Sequence, residues 1–419
     1  MQASNSASRE WREYWCVPLA AALGYSTAVL SAYGLGPFVE PIQREFGWSR
    51  AIISSGLTIV GLSGAALSIP MGMLVDRVGP RKVALVGAVL MPMAFALLGT
   101  ATGSQANWLL LWLFVAFANI WMQGTVWVAA VSSRFDKSRG LAIAIAMSGG
   151  SLTSAVLPII ATSIMEASDW RTAIASVGGI WFLLVFPAIF LFFRGAQDSG
   201  TKLSETALQA RPVLTGRSVG EALRMRQFYQ LIVASGFYAF AGIGTIVHFI
   251  PVLTDRGATP LGAAGVASLI GIFSLIGRLS TGFLLDRFAP HLVGAAAFVL
   301  PVAACGMLIV DGQNPVAHIT SAIFFGFSLG AEMDVIAYLV SRHFGMRNYG
   351  IIFGSITAAL AMGTALGPLF AGYFFDVWGS YAQFLMLTAV LMLVSSVAVA
   401  TLGKVRGEPP IRNAVPCRE

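Results

Sequence analysis

Apolar stretches of about 20 residues recur along the chain from Trp15 to Leu402, each closed by a short cluster of charged residues, Gly, Pro or Asn. A helix needs about that length to cross roughly 30 Å of hydrocarbon. The pattern predicts helices at 15–39, 51–75, 82–102, 107–131, 141–165, 172–194, 228–253, 262–285, 291–311, 316–341, 349–374 and 380–402. The expected fold is therefore an all-α membrane protein with twelve transmembrane helices. The one long hydrophilic segment, Arg194 to Arg226, divides the spans six and six. The expected organisation is a cytoplasmic tail at 1–14, a six-helix bundle at 15–194, a cytoplasmic linker at 195–227, a second bundle at 228–402 and a tail at 403–419. The polar first 14 residues are not followed by a small-residue cleavage site and a short apolar core, so the first span is expected to be retained.

Composition agrees with the pattern. Of 419 residues, 57% are hydrophobic and 11% charged, with a mean hydropathy of +0.77; soluble domains carry roughly 25% charged residues. No stretch is long enough for a soluble catalytic domain. With both termini placed inside, 21 of the 26 basic residues fall on the cytoplasmic side and four, Arg44, Arg50, Arg171 and Arg256, on the other. That asymmetry supports the helix count, predicts cytoplasmic termini in the cell (inner) membrane, and accounts for the net charge of +7 without nucleic acid. Three scattered cysteines, Cys16, Cys305 and Cys417, suggest neither a disulfide framework nor a zinc site. The sequence holds no HExxH, no paired-carboxylate motif and no nucleophile with its base, so no enzyme, cofactor or metal is expected.

The two halves resemble each other. Gly72-Met-Leu-Val-Asp76-Arg77-Val-Gly79-Pro80-Arg81-Lys82 matches Gly282-Phe-Leu-Leu-Asp286-Arg287-Phe-Ala289-Pro290-His291-Leu292 at an offset of 210. Pro41 pairs with Pro251 and Pro158 with Pro368 at that offset, while Arg134 pairs with Arg342 and Trp170 with Trp378 at 208. An even number of spans per half makes the repeats parallel, which gives two pseudo-symmetric six-helix bundles able to rock about a central site.

The string from Gly72 to Lys82 resembles the loop between the second and third helices of the major facilitator superfamily, with its degenerate copy at 282. A finer pattern resembles the monocarboxylate transporter family and its bacterial relatives. It comprises Gly47-Trp48-Ser49, Gly277-Arg278-Leu-Ser-Thr-Gly282, Gly367-Pro368-Leu-Phe-Ala-Gly372, Asp376 and Gly379-Ser380-Tyr381. The resemblance covers essentially all twelve spans. It implies a secondary transporter with Arg278 as a substrate-binding arginine. It also implies gating at cytoplasmic helix ends by Gly72, Asp76, Arg77, Gly79, Arg81, Asp286, Arg287 and Arg342. The chain departs from the family in having Ser274 where better-known members carry an acid and Tyr33 where they carry a lysine. The eleventh helix also lacks the lysine of oxalate and formate exchangers, since 349–374 holds no charge.

Three charges are stranded inside predicted spans: Arg278 in the eighth, and Glu332 and Asp334 in the tenth. Arginine at mid-span costs about 2.5–3.5 kcal/mol on insertion scales, so it should face protein or a wet cavity. There it is either a fork for a carboxylate or one half of an ion pair with Glu332 or Asp334. At helical rise the three lie at similar depth, ~12–15 Å from the cytoplasmic Arg287 and Arg342. The two acids project about 200° apart, so one is assigned to proton coupling and the other to a polar face with Tyr338 and Arg342, in either order. Tyr33, Gln123, Trp121, Trp127, Tyr238 and Ser274 are candidate hydrogen-bonding or aromatic walls. Asn119 is either a cavity amide or a helix-helix contact, and His248 either titrates in coupling or sits at the membrane interface. One cavity cation suggests a monoanionic substrate. The expected partners are a small carboxylate, a proton and the lipid bilayer, and the chain is expected to act as a monomer. The reading is monocarboxylate-proton symport by alternating access. The alternative is proton-coupled drug or metabolite efflux on the same fold.

Overall fold

The computed structural model describes residues 2–135, 138–195, 216–285, 287–310, 313–345 and 347–403. Among the described residues, eleven helices are long and apolar enough to cross a membrane, and a bent pair brings the count to twelve. The first span is that pair, Cys16–Ala28 and Leu30–Phe46, bent by 53°. The others follow in order. The second is Arg50–Val78 and the third Pro80–Leu97; the fourth runs Gln105–Ile120 then Gly124–Ser132, the fifth Arg139–Met147 then Gly149–Ala167, and the sixth Trp170–Phe192. In the second half come Arg226–Val247 continued by Phe249–Thr254, then Pro260–Leu285, Pro290–Val310, Pro315–Phe344, Tyr349–Trp378 and Ala382–Ala400. All but the first, which runs on to Phe46 where 39 was expected, lie within about five residues of their apolar stretches, because lipid leaves a backbone no partner outside its own helix. One difference is the N-terminal tail: Gln2–Tyr14 is helical. It packs Trp11 on Phe135 and caps Ser138 through Glu10, so it sits against the turn between the fourth and fifth spans.

Helix ends follow local chemistry. Ser49 caps the second span by accepting from the Ile52 N–H, Asp169 caps the sixth and Asn314 the tenth. Backbone N–H bonds, that of Thr172 foremost, hold the Asp169 carboxyl below the usual carboxylate range. Gly79, at φ 88°, lets the chain turn from the second span directly into the third. Four spans are interrupted, at Val29, at Trp121–Gln123, at Ser148 and at His248. The last has a plain cause: Pro251 has no N–H to offer the Val247 carbonyl.

Spans one to six and seven to twelve form two bundles. They meet along the second and eleventh spans and along the fifth and eighth. The meeting is tight because glycines stand at the crossings. A Cβ on Gly271 would lie 2.6 Å from the Ser151 carbonyl oxygen, and one on Gly372 would lie 2.6 Å from the Ala51 nitrogen. These contacts lie in the halves of the spans remote from the linker. Toward the linker side the bundles splay: Cβ atoms on Gly72, Gly350 and Gly354 would meet nothing. Gly271→Val should therefore wedge the fifth and eighth spans apart. The expected outcome is a loss of about 1–3 kcal/mol in stability, checked by thermal unfolding of the detergent-solubilised protein; an unchanged transition would show that the crossing tolerates separation.

Candidate functional site

Between the bundles lies a cavity of about 900 Å³, opening toward the linker side. The first span supplies Ala28 to Ala32, the second Leu57 to Ser68, the fourth Asn119, Gln123 and Gly124, and the eleventh Gly350 to Pro368. The wall is mainly apolar, with hydroxyls and two amides, and among its described residues there is no charge. Both amides lie at or beside the break of the fourth span. Asn119 donates to the Ala28 carbonyl (2.6 Å), freed where the first span bends, and Gln123 donates to the Gly64 carbonyl (3.0 Å). The structure places Trp127 elsewhere. Its indole N–H donates to the Met122 carbonyl at the break of the fourth span, and its ring is fully buried against Gly24 and Phe193. A carbonyl released by a helix break needs a donor, and satisfying it turns this tryptophan into a brace inside the first bundle. Trp121 packs edge-on to Phe117.

The stranded charges come together as their depths implied. Arg278 donates from Nη1 to the Asp334 carboxylate at 3.2 Å, with side chains 20% and 34% exposed. This is the ion-pair alternative, realised with Asp334. The Arg278 Nε is buried without a hydrogen-bond partner, and so is Oε1 of the buried Glu332. Tyr33 lies within electrostatic reach of Arg278 and Glu332, Tyr238 of Glu332, and Tyr25, which the sequence did not single out, of Arg278. Tyr238 is occupied: its hydroxyl donates to Ser328 (3.0 Å) and its ring packs on Phe298. Ser274 lies one helical turn before Arg278 and donates to Ser151 of the other bundle (2.7 Å). It is a bridge between bundles. Asp334 faces Arg278 while Tyr338 bonds Arg342 (2.8 Å), so the acid, Tyr338 and Arg342 follow one face of the tenth span.

The gating candidates lie at the splayed end. Asp76 and Arg77 are exposed, Arg81 donates to the Phe190 carbonyl (2.6 Å) within its own bundle, and the Arg287 guanidinium lies over Phe283. Asp286 lies outside the described residues. The remote face is closed by residues the sequence reading left among loop charges. Arg50 is almost wholly buried; it donates to both oxygens of Asp255 (2.7 and 2.9 Å), to the Tyr381 hydroxyl (2.9 Å) and to Gln43 (2.9 Å). Asp376 of the eleventh span accepts from the backbone N–H groups of Arg50 and Ala51 (2.8 and 2.9 Å), capping the second span from the opposite bundle. His248 was expected either at the membrane interface or in coupling. It is fully buried at this joint, bonded to Ser54, Tyr381 and the Pro368 carbonyl. The signal for part of this cluster was the Asp376 and Tyr381 motif; its partners lie 133 to 331 residues away.

A family model described as Major Facilitator Superfamily matches residues 21–361. Monocarboxylate transporter 13 of Bos taurus is 24% identical over 395 residues, covering 89% of this chain and 88% of its own. An uncharacterized MFS-type transporter of Escherichia coli, YhjX, is 26% identical over 319 residues, covering 73% and 75%. Among solved structures, a D-xylose-proton symporter aligns with a TM-score of 0.72 at 15% identity, covering 93% of this chain and 98% of its own. The nucleoside transporter NupG aligns at 0.73 and 14%, covering 93% and 100%. The chain belongs to the major facilitator superfamily, and its fold is the twelve-helix, two-bundle fold of those transporters.

Removing one member of the Arg278–Asp334 pair leaves the other without its partner. Asp334→Asn and Arg278→Gln should each destabilise the detergent-solubilised protein by about 1–3 kcal/mol, between the exposed and buried limits for ion pairs. The double variant should recover part of the loss in a thermal-unfolding cycle; strict additivity would show that the contact carries no coupling.

Proposed function

We propose that this superfamily member moves a small monocarboxylate across the cell (inner) membrane together with a proton, with both termini and the linker in the cytoplasm. The observation that carries the reading is Arg278, set within the eighth span with one nitrogen on Asp334 and Nε unspoken for. A guanidinium cannot be neutralised by deprotonation and matches two carboxylate oxygens, so an arriving carboxylate competes with Asp334 for the same fork. The overall similarity to monocarboxylate transporters supports the same class of substrate.

Charge balance supplies the proton. Arg278 and Asp334 neutralise each other, which leaves buried Glu332 without an opposite charge of its own. An uncompensated buried carboxylate costs several kcal/mol, so Glu332 is assigned to proton coupling, and Asp334 is the acid that yields Arg278 to substrate. Tyr33 and Tyr25 lie within electrostatic reach of Arg278, and the amides Asn119 and Gln123 stand on the cavity wall. Rocking of the bundles, with the splayed cytoplasmic ends closing through Gly72, Asp76, Arg77, Gly79, Arg81, Asp286, Arg287 and Arg342, delivers the bound pair to the other side.

Proteoliposomes should take up labelled pyruvate, lactate or benzoate faster with an inward proton gradient than without one. Arg278→Gln should lower uptake by about a hundredfold or more, since one charge-assisted fork is worth several kcal/mol, and Glu332→Gln should remove the response to the gradient. Undiminished uptake in Arg278→Gln would overturn the assignment.

A further inference from the structure

We propose that the closed face remote from the linker is a proton-sensitive gate that shuts only when His248 is neutral. The hydrogen bonds dictate the protonation state. The Pro368 carbonyl oxygen can only accept, and it lies 3.0 Å from Nε2, so Nε2 carries a proton. The Tyr381 hydroxyl, 2.7 Å from Nδ1, accepts from Arg50 Nη1 at 2.9 Å, and its single proton is then directed at His248. Nδ1 is therefore the acceptor. The chain of donors runs from Arg50 through Tyr381 to His248 to Pro368, crossing from the first bundle into the second, with Ser54 of the first bundle 3.0 Å from Nε2.

A second proton on the ring has no place in this arrangement. Nδ1–H would point at an oxygen that already faces a guanidinium, the tyrosine proton would lose its acceptor, and two cations would share a buried joint. Among the charged and titratable groups packed here, Arg50 comes from the second span, Tyr381 from the start of the twelfth, Asp255 from the end of the seventh and Asp376 from the eleventh. Both carboxylates are bound to Arg50 or to the backbone beneath it. When the bundles part on this side, Arg50 and Ser54 leave with the first bundle, the Tyr381 hydroxyl is freed to turn and accept from Nδ1–H, and water solvates the imidazolium. A proton therefore binds the open form better than the closed one, and by linkage acid on this face opens the gate.

The inference needs only that the chain alternates access; it does not depend on the substrate. It takes from the preceding reading the orientation in which this face is extracellular. The test is thiol labelling of intact cells with a membrane-impermeant maleimide, after Cys16, Cys305 and Cys417 are replaced by Ser. Leu57→Cys reports the cavity one turn beneath Ser54, and Ser168→Cys, on the exposed turn between the fifth and sixth spans, serves as the always-open control. The ratio of the two labelling rates cancels the intrinsic pH dependence of the thiol. It should rise about fivefold or more from pH 7.5 to pH 5.5 and be flat in His248→Gln, which keeps a donor and an acceptor but cannot ionise. Arg50→Gln and Tyr381→Phe should raise it at both pH values. A flat ratio with His248 in place, or an unchanged pH response in His248→Gln or in the milder Tyr381→Phe, overturns the proposal. Failure of Ser168→Cys to label from outside would overturn the orientation, and the same comparison then runs on inverted vesicles.

Discussion

A buried cation must be given partners, and Arg50 takes them from both bundles. Its guanidinium meets Asp255, Tyr381 and Gln43, and its backbone, with that of Ala51, is capped by Asp376. The guanidinium also lies 3.6 Å from the centre of the Phe375 ring. Because the helix bearing Arg50 is capped by its neighbour from the other half, the two halves cannot part on this face without undoing a polar cluster in a low-dielectric setting, where unmade bonds are costly. The glycine crossings at Gly271 and Gly372 then bring backbone against backbone, and the splay of the bundles at the linker end follows from closure at the other.

The same constraint governs the cavity. Lipid supplies no donors, so every helix break needs an internal partner. Asn119 serves the bend of the first span, Trp127 the break of the fourth, and Ser274 meets Ser151 across the bundles. The breaks place free backbone and small side chains beside a wide cavity with few polar groups on its wall. Against that background Arg278 and Asp334 are conspicuous, and the unpartnered Arg278 Nε and Glu332 Oε1 mark where further bonds can form.

The spans were legible because the bilayer dictates their length, and the duplication because 5 of 11 positions in one string still agree between the halves. Arg278, Glu332 and Asp334 stood out because charge inside an apolar run has to be explained, and helical rise alone put them at one depth. What sequence did not disclose was tertiary. Arg50 begins the residue before an apolar window and reads as a loop charge; only the folded chain brings Asp255 and Asp376 to it. His248 looked interfacial because it lies near a span end, but Ser54, Tyr381 and the Pro368 carbonyl enclose it. Trp127 had the composition of a cavity wall, and the broken fourth span claimed its N–H. The N-terminal helix had too few apolar positions to announce itself, and it is held by contacts to Phe135 and Ser138.

The central claim is that Arg278 receives a carboxylate while a proton is bound nearby. It is tested most directly by adding saturating pyruvate, lactate or benzoate to the purified protein in weakly buffered detergent solution, and recording heat and pH together. The account predicts saturable binding of one of these acids, accompanied by uptake of a proton from solution. In Arg278→Gln binding should disappear, and in Glu332→Gln it should proceed without the proton. Binding that is unchanged in Arg278→Gln would contradict it.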